Sequence, residues 1–174
     1  MKLRKFYFFL LICLLFSGCS GCYKLNGSSE GSAKTVSVEY FQNNAALTKP
    51  TYASTLTEAL KDILTSQSRL TLVTRGADLQ FEGQITRYDV TPQAIQSGTD
   101  QAAMNRLTIV VQVKYTDNTP ENEKLNGKNN FDKPFTFYAD YPSSKSLNDV
   151  EDQLIKTIND QMTLAIFNEA LSKW

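Results

Sequence analysis

Between Met104 and Tyr115 every second residue from Leu107 onward is apolar. Leu107, Ile109, Val111, Val113 and Tyr115 point one way, while Arg106, Thr108, Val110, Gln112 and Lys114 point the other. An extended backbone sends successive side chains to opposite faces, so this stretch satisfies its apolar half only as a strand with one dry face. The second face is mostly wet, and that combination predicts an antiparallel sheet covered on a single side.

The neighbouring segments fit around that strand. Val36, Val38 and Tyr40 alternate with polar residues across Thr35 to Phe41, a strand ended by Gln42-Asn43-Asn44. Leu56, Leu60, Ile63 and Leu64 fall at helical spacing, with Ala53 and Ala59 alongside. They predict a helix from just past Pro50 to Gln67, its outer face carrying Thr57, Glu58, Lys61 and Asp62. Leu70 to Val73 reads as a short strand, and strand, helix, strand with short links predicts a right-handed crossover. Leu79, Phe81, Gly83 and Ile85 share one parity, but Tyr88 and Val90 sit on the other. A bulge at Gly83 or at the Thr86-Arg87 step reconciles them. Thr116 to Lys133 is polar and reads as a long, mobile hairpin connection, with Asn126-Gly127 as the turn of a small arm as the alternative. It leads to a strand at Phe135 to Tyr138. Ser146 to Leu171 is the longest predicted helix. Its stripe is Leu147, Val150, Leu154, Ile158, Met162, Ala165 and Ile166, widened by Ile155, Phe167, Ala170, Leu171 and Trp174. Ser146 and Asp149 form a capping-box-like pair, and Asp152 with Lys156 an outer i, i+4 pair. The order β-α-β-β-β-β-α implies an α+β fold: a single sheet of four to five strands with two helices packed on one face.

The start of the chain addresses its compartment. Residues 1–18 carry a basic opening (Lys2, Arg4, Lys5), an apolar run from Phe6 to Phe16, and the small pair Ser17-Gly18 before Cys19. This is the pattern of an export signal, too short for the roughly 20 residues of a spanning helix. Leu15-Phe16-Ser17-Gly18-Cys19 resembles a bacterial lipobox, in which the cysteine is acylated and becomes the mature N-terminus. Cys22 follows a small pair too, but the apolar run has ended by then, so Cys19 is the expected lipidation site. Residues 19–34, rich in Gly and Ser, read as a lipidated flexible tether, and residues 35–174 as one domain.

Composition narrows the chemistry. The whole chain has 18 basic and 18 acidic residues. Loss of Lys2, Arg4 and Lys5 with the signal leaves a weakly acidic domain without the clustered basic excess that nucleic acid demands. There is no histidine, which removes the commonest general base and metal ligand. Cys22 would be left as a lone thiol, so no disulfide braces the domain. No phosphate-binding loop, dinucleotide fingerprint, zinc spacing or nucleophile elbow occurs, so neither an enzyme nor a cofactor is expected. Glu151-Asp152 and Asp140 with Asp149 are carboxylate pairs, read as solvated acids near a helix start. Tyr138, Tyr141 and Phe137 are candidate stacking residues, read as edge-strand core. Arg87, Arg106 and Lys114 are candidate anionic-lipid contacts if the middle strands are neighbours, set against ordinary solvated charge.

Several runs carry a family resemblance. Asn43-Asn44-Ala45-Ala46-Leu47 precedes a proline, and Thr57-Glu58-Ala59-Leu60-Lys61-Asp62 follows. Then come Asp78-Leu79-Gln80-Phe81-Glu82-Gly83, Val90-Thr91-Pro92-Gln93-Ala94-Ile95, Asn105-Arg106-Leu107-Thr108-Ile109, Phe137-Tyr138-Ala139-Asp140-Tyr141 and Ile166-Phe167-Asn168. In this order the chain resembles the LptE lipoproteins of Bacteroidetes-type bacteria. In that family an aromatic residue follows the lipidated cysteine by a few positions, as Tyr23 follows Cys19. The resemblance implies an outer-membrane, lipid-anchored protein facing the periplasm or a barrel lumen. Its partner would be the LptD-like β-barrel that inserts lipopolysaccharide, which it would plug and help assemble, with contact to lipopolysaccharide itself as a further expectation. Residues 117–133 exceed the family's usual link, which leaves open whether this loop lies inside or outside the lumen. The alternative function is a stand-alone lipid- or glycolipid-binding envelope lipoprotein.

Overall fold

The computed structural model describes residues 32–46, 48–93 and 103–171. The signal segment, Cys19, Cys22 and Trp174 lie outside them. In chain order the elements are β1 (Thr35–Val38), β2 (Gln42–Asn43), α1 (Tyr52–Gln67), β3 (Thr71–Leu72), β4 (Leu79–Gln93), β5 (Met104–Asp117), α2 (Pro120–Lys124), β6 (Phe131–Pro142) and α3 (Leu147–Leu171). The sheet runs β3-β1-β4-β5-β6, with β2 also paired to β4. β1 is parallel to β3 and β4, and β2 is parallel to β4. β4, β5 and β6 form an antiparallel meander. The α+β class stands as read from the alternation, with a short sixth strand and a short third helix added.

Both long helices cover one face. Leu79, Phe81, Ile85 and Tyr88 of β4 and Leu107, Ile109, Val111, Val113 and Tyr115 of β5 are buried there against Leu56, Leu60 and Leu64 of α1 and Ile158, Met162 and Ile166 of α3. Burial of some thirty apolar side chains, with each large aliphatic or Phe side chain contributing about 1.5–3 kcal/mol, is the main stabilising term. The change of phase in β4 is a bulge at the Thr86 step, where the register shifts between Ile85 and Arg87. The extra residue lets Ile85 and Tyr88 both face the core and sends Arg87 to the open face.

Gly83 has a different role from a bulge. A Cβ there would stand 2.2 Å from Cε1 of Phe41 and 2.8 Å from the Gln112 carbonyl oxygen. The ring of Phe41, fully buried, occupies that space. Phe41 therefore belongs to the core, and Tyr40, expected to face inward with Val36 and Val38, is turned outward instead. The strand expected to run through Phe41 breaks at Val38 and resumes as β2. The Phe41 amide donates to Thr57 Oγ1 at 3.1 Å, and Thr57 in turn donates to the Ala53 carbonyl at 2.7 Å. Thr57, expected on the outer face of α1, is buried for this reason.

Three other expectations change. Residues 116–133 form a tightly hydrogen-bonded cap instead of a mobile loop. Thr119 caps α2, and the buried Asn122 donates to the Asp117 carbonyl at 2.7 Å and to Asn130 Oδ1 at 3.0 Å. Asn126 and Gly127 take φ of 55° and 73°, a left-handed pair that Asn and Gly adopt most readily. The cap lets β6 begin at Phe131, earlier than expected, with Pro134 tolerated because β6 is an edge strand. On α3, Asp152 pairs with Lys49 and Lys156 with Asp160, not with each other. Ser146 Oγ donates to Asp149 Oδ2 at 2.8 Å, so the cap pairing is side chain to side chain.

The domain's first residues are clasped. Asp78 Oδ2 accepts from the Lys34 and Thr35 amides at 2.8 and 2.9 Å and from Thr35 Oγ1 at 2.9 Å. The Asp78 amide returns a bond to Thr35 Oγ1 at 2.9 Å. These donors, the Lys34 amide foremost, hold the Asp78 carboxyl below its ordinary value of 3.8.

Gly83→Ala forces Phe41 or the Gln112 backbone to move and is expected to cost about 1–3 kcal/mol in urea unfolding, where Phe41→Ala costs about 3–5 kcal/mol. Asp78→Asn is expected to destabilise by about 1 kcal/mol at neutral pH. Because the folded-state pKa is depressed, the wild-type advantage is complete above the ordinary value of 3.8 and is lost as pH falls through the lowered one. A series of unfolding curves from pH 7 to pH 3 measures it; a wild-type advantage that grows on acidification contradicts the assignment.

Candidate functional site

The uncovered face of the sheet collects the chemistry that the sequence singled out. Arg87, Arg106 and Lys114 all lie on it, and the register spreads them. Arg87 stands opposite Val110, Arg106 opposite Thr91 and Asp140, and Lys114 opposite Glu82 and Asp132. Arg106 and Lys114 are eight residues apart on β5, so at about 3.4 Å per residue their Cα atoms are roughly 27 Å apart. The three do not converge on one point.

Each basic residue also has an acidic partner. Arg106 makes a two-pronged contact, Nε to Asp140 Oδ1 at 2.7 Å and Nη2 to Oδ2 at 2.8 Å. Its guanidinium carbon sits 3.7 Å from the centre of the Tyr138 ring. The hydrogen bonds to Asp140 raise the Arg106 pKa further, and the same bonds hold Asp140 below the usual carboxylate range. Lys114 lies 3.4 Å from Glu82, and Arg87 lies 3.4 Å from Asp89. These pairs lie at the surface, where water screens them, so they add little to stability. Their larger effect is to leave the face with balanced charge.

Of the three aromatic candidates, only Tyr138 is presented on this face, and it is 50% exposed. Tyr141 is buried on the helix side, and Phe137 packs partly against the same core. The carboxylate candidates are engaged separately. Asp140 holds Arg106 and Asp149 accepts from Ser146. Glu151 accepts from the Tyr88 hydroxyl at 2.5 Å, and Asp152 pairs with Lys49. Each of the four is thus engaged by a different partner. Among the described residues no group of three Asp, Glu, Cys or His is arranged to hold a metal ion.

A recess of about 240 Å³ opens on the same face, bounded by Tyr40, Glu82, Gln84, Gln112, Lys114 and Asp132. Gln112 Nε2 donates to Asp132 Oδ1 at 2.6 Å, and Asn44 Nδ2 donates to Gln84 Oε1 at 2.7 Å. Tyr40 stands at its wall, 62% exposed. Sequence reasoning missed this residue because strict alternation places it in the core. The available signal was the adjacent pair Tyr40-Phe41, which cannot both be buried from one strand.

A second recess, about 260 Å³, lies between α1 and α3 behind the Lys49–Asp152 pair. It is bordered by the buried Tyr52 and Asn159, whose hydroxyl and Oδ1 have no protein partner. Burial pushes the Tyr52 hydroxyl far above its ordinary value, so it stays protonated. The Tyr52 ring meets Tyr88 edge-on at 6.1 Å. Among the described residues no helix is long and apolar enough to cross a membrane.

A solved structure shares the fold. The hypothetical protein CT253 from Chlamydia trachomatis aligns with a TM-score of 0.54 at 8% identity, covering 82% of this chain and 100% of its own. A minor lipoprotein from Acinetobacter baumannii gives 0.48 at 17% identity, covering 79% and 91%. No curated protein sequence matches. At the level of family, residues 33–170, almost the whole of the sheet and helices described above, match LptE, lipopolysaccharide-assembly, and the chain belongs to that family.

Proposed function

We propose that the chain is an outer-membrane lipoprotein, anchored by acyl chains on Cys19. Its domain faces the periplasm or the lumen of an LptD-like β-barrel. There it acts as partner and plug of the barrel that inserts lipopolysaccharide, helping assembly and transport without catalysis. The family match over residues 33–170 carries this reading. It is supported by an N-terminal segment with the pattern of an export signal ending in a lipobox-like Cys19. An acylated cysteine with two or more chains holds a protein stably, since each buried methylene contributes about 0.8 kcal/mol. The open sheet face is the surface offered to lipopolysaccharide. Arg87, Arg106 and Lys114 lie where it would pass, and their ion pairs would have to open to receive a phosphate.

A second reading, a stand-alone glycolipid binder, is favoured by one observation: the open face carries an aromatic-walled polar recess that needs no partner chain to form. Under that reading isolated lipopolysaccharide binds tightly, and Arg106→Glu with Lys114→Glu abolishes the binding.

Extraction in mild detergent tests the first reading. The expected result is recovery together with a much larger β-barrel protein; recovery of the intact lipoprotein alone contradicts it. Cys19→Ala is expected to shift the protein from the membrane to the soluble fraction, whereas Cys22→Ala leaves it in the membrane. Release by the second substitution overturns the assignment of the anchor.

A further inference from the structure

We infer that the recess on the open face binds an uncharged saccharide unit, and that sugar, not phosphate, is what this surface recognises. The inference rests on the lipopolysaccharide reading only for the source of the sugar; the site itself is read from the side chains that build it.

Charge decides against an anion. Around the recess the carboxylates of Glu39, Glu82 and Asp132 stand against the single ammonium of Lys114. Lys114 is directly opposite both Glu82 and Asp132 in the register, so its field is cancelled where a phosphate would need it. Arg106, at the far end of β5, is held by Asp140 on two prongs. Among the described residues, the face's Arg87, Arg106 and Lys114 each have an acidic partner.

The hydrogen-bonding groups suit a sugar hydroxyl, which both donates and accepts. Gln84 has its Oε1 held by Asn44, which aims its Nε2 as a donor. Gln112 has its Nε2 held by Asp132, which leaves its Oε1 as an acceptor. One free donor and one free acceptor on neighbouring strands stand opposite each other, since Gln84 pairs with Gln112. Both amides are fixed by a neighbour before any ligand arrives, which lowers the ordering cost of binding. Tyr40 completes the site with an apolar ring face and a polar tip. It is aimed outward because Phe41 is locked over Gly83, so the wall does not collapse into the core. The volume of about 240 Å³ falls below the roughly 300–1,000 Å³ of pockets that enclose drug-sized ligands. That matches a single surface-bound sugar unit and weak affinity, and excludes an engulfed acyl chain.

The test uses the full lipoprotein in detergent micelles, with the side-chain amides of Gln84 and Gln112 followed by NMR. The probes are dephosphorylated, lipid-free core oligosaccharide, inorganic phosphate, and intact lipopolysaccharide. The oligosaccharide is expected to shift both amides, with affinity falling about ten-fold in Tyr40→Ala and less in Tyr40→Phe, which keeps the ring face and loses the polar tip. Phosphate is expected to shift neither. The exposure of Tyr40 keeps the variants folded, and unchanged core methyl signals verify it. Shifts caused by phosphate but not by oligosaccharide, or oligosaccharide binding indifferent to Tyr40→Ala, overturn the inference. If intact lipopolysaccharide binds without moving the two amides, the sugar site is wrong while the lipopolysaccharide reading stands. If no probe moves the amides or binds, the sugar site is wrong, and recovery with or without the barrel decides that reading independently.

Discussion

The ring of Phe41 lies on the backbone of Gly83, and much of the domain is arranged around that contact. It ends β1 early, restarts the chain as β2, and fixes the parity of the residues between them. The Phe41 amide reaches Thr57, which ties this point of the sheet to the first turns of α1. The same contact throws Tyr40 onto the opposite face. A single close approach, possible only where β4 has no side chain, thereby joins the core, the position of a helix and the wall of the open-face recess.

The two faces of the sheet are stabilised by different physics. The covered face is apolar and close-packed, and its energy comes from area removed from water. The open face is a ladder of paired polar side chains: Glu82 with Lys114, Asp140 with Arg106, Asp132 with Gln112. Such cross-strand pairs add little stability. They hold planar side chains in fixed orientations on an edge-to-edge polar surface.

The strands and long helices were legible because their periods are unambiguous. The alternation of β5 placed every residue from Arg106 to Tyr115 on the correct face, and the parity change after Ile85 announced the bulge. What stayed hidden depended on contacts distant in sequence. Thr57 reads as an outer residue of α1 until the Phe41 amide is brought to it. Asn159 and Thr163 of α3 are polar and yet buried, so a pattern of apolar positions passes over them. The 116–133 connection reads as loose because polar residues dominate it, although Asn122, Asn130 and Asp117 use their side chains to replace backbone pairing. The candidate basic residues were placed correctly on the open face. Their acidic partners were invisible, because strand register, not composition, sets Asp140 beside Arg106.

The central claim is that the open sheet face, not the helical face, meets lipopolysaccharide. Photo-crosslinking in living cells tests it most directly, with a photoreactive residue placed at Tyr138 or Tyr40 and, as the comparison, at Leu164 on the outer side of α3. The account predicts lipopolysaccharide adducts from Tyr40 and Tyr138 and none from Leu164. Adducts from Leu164 with none from the two tyrosines would contradict it.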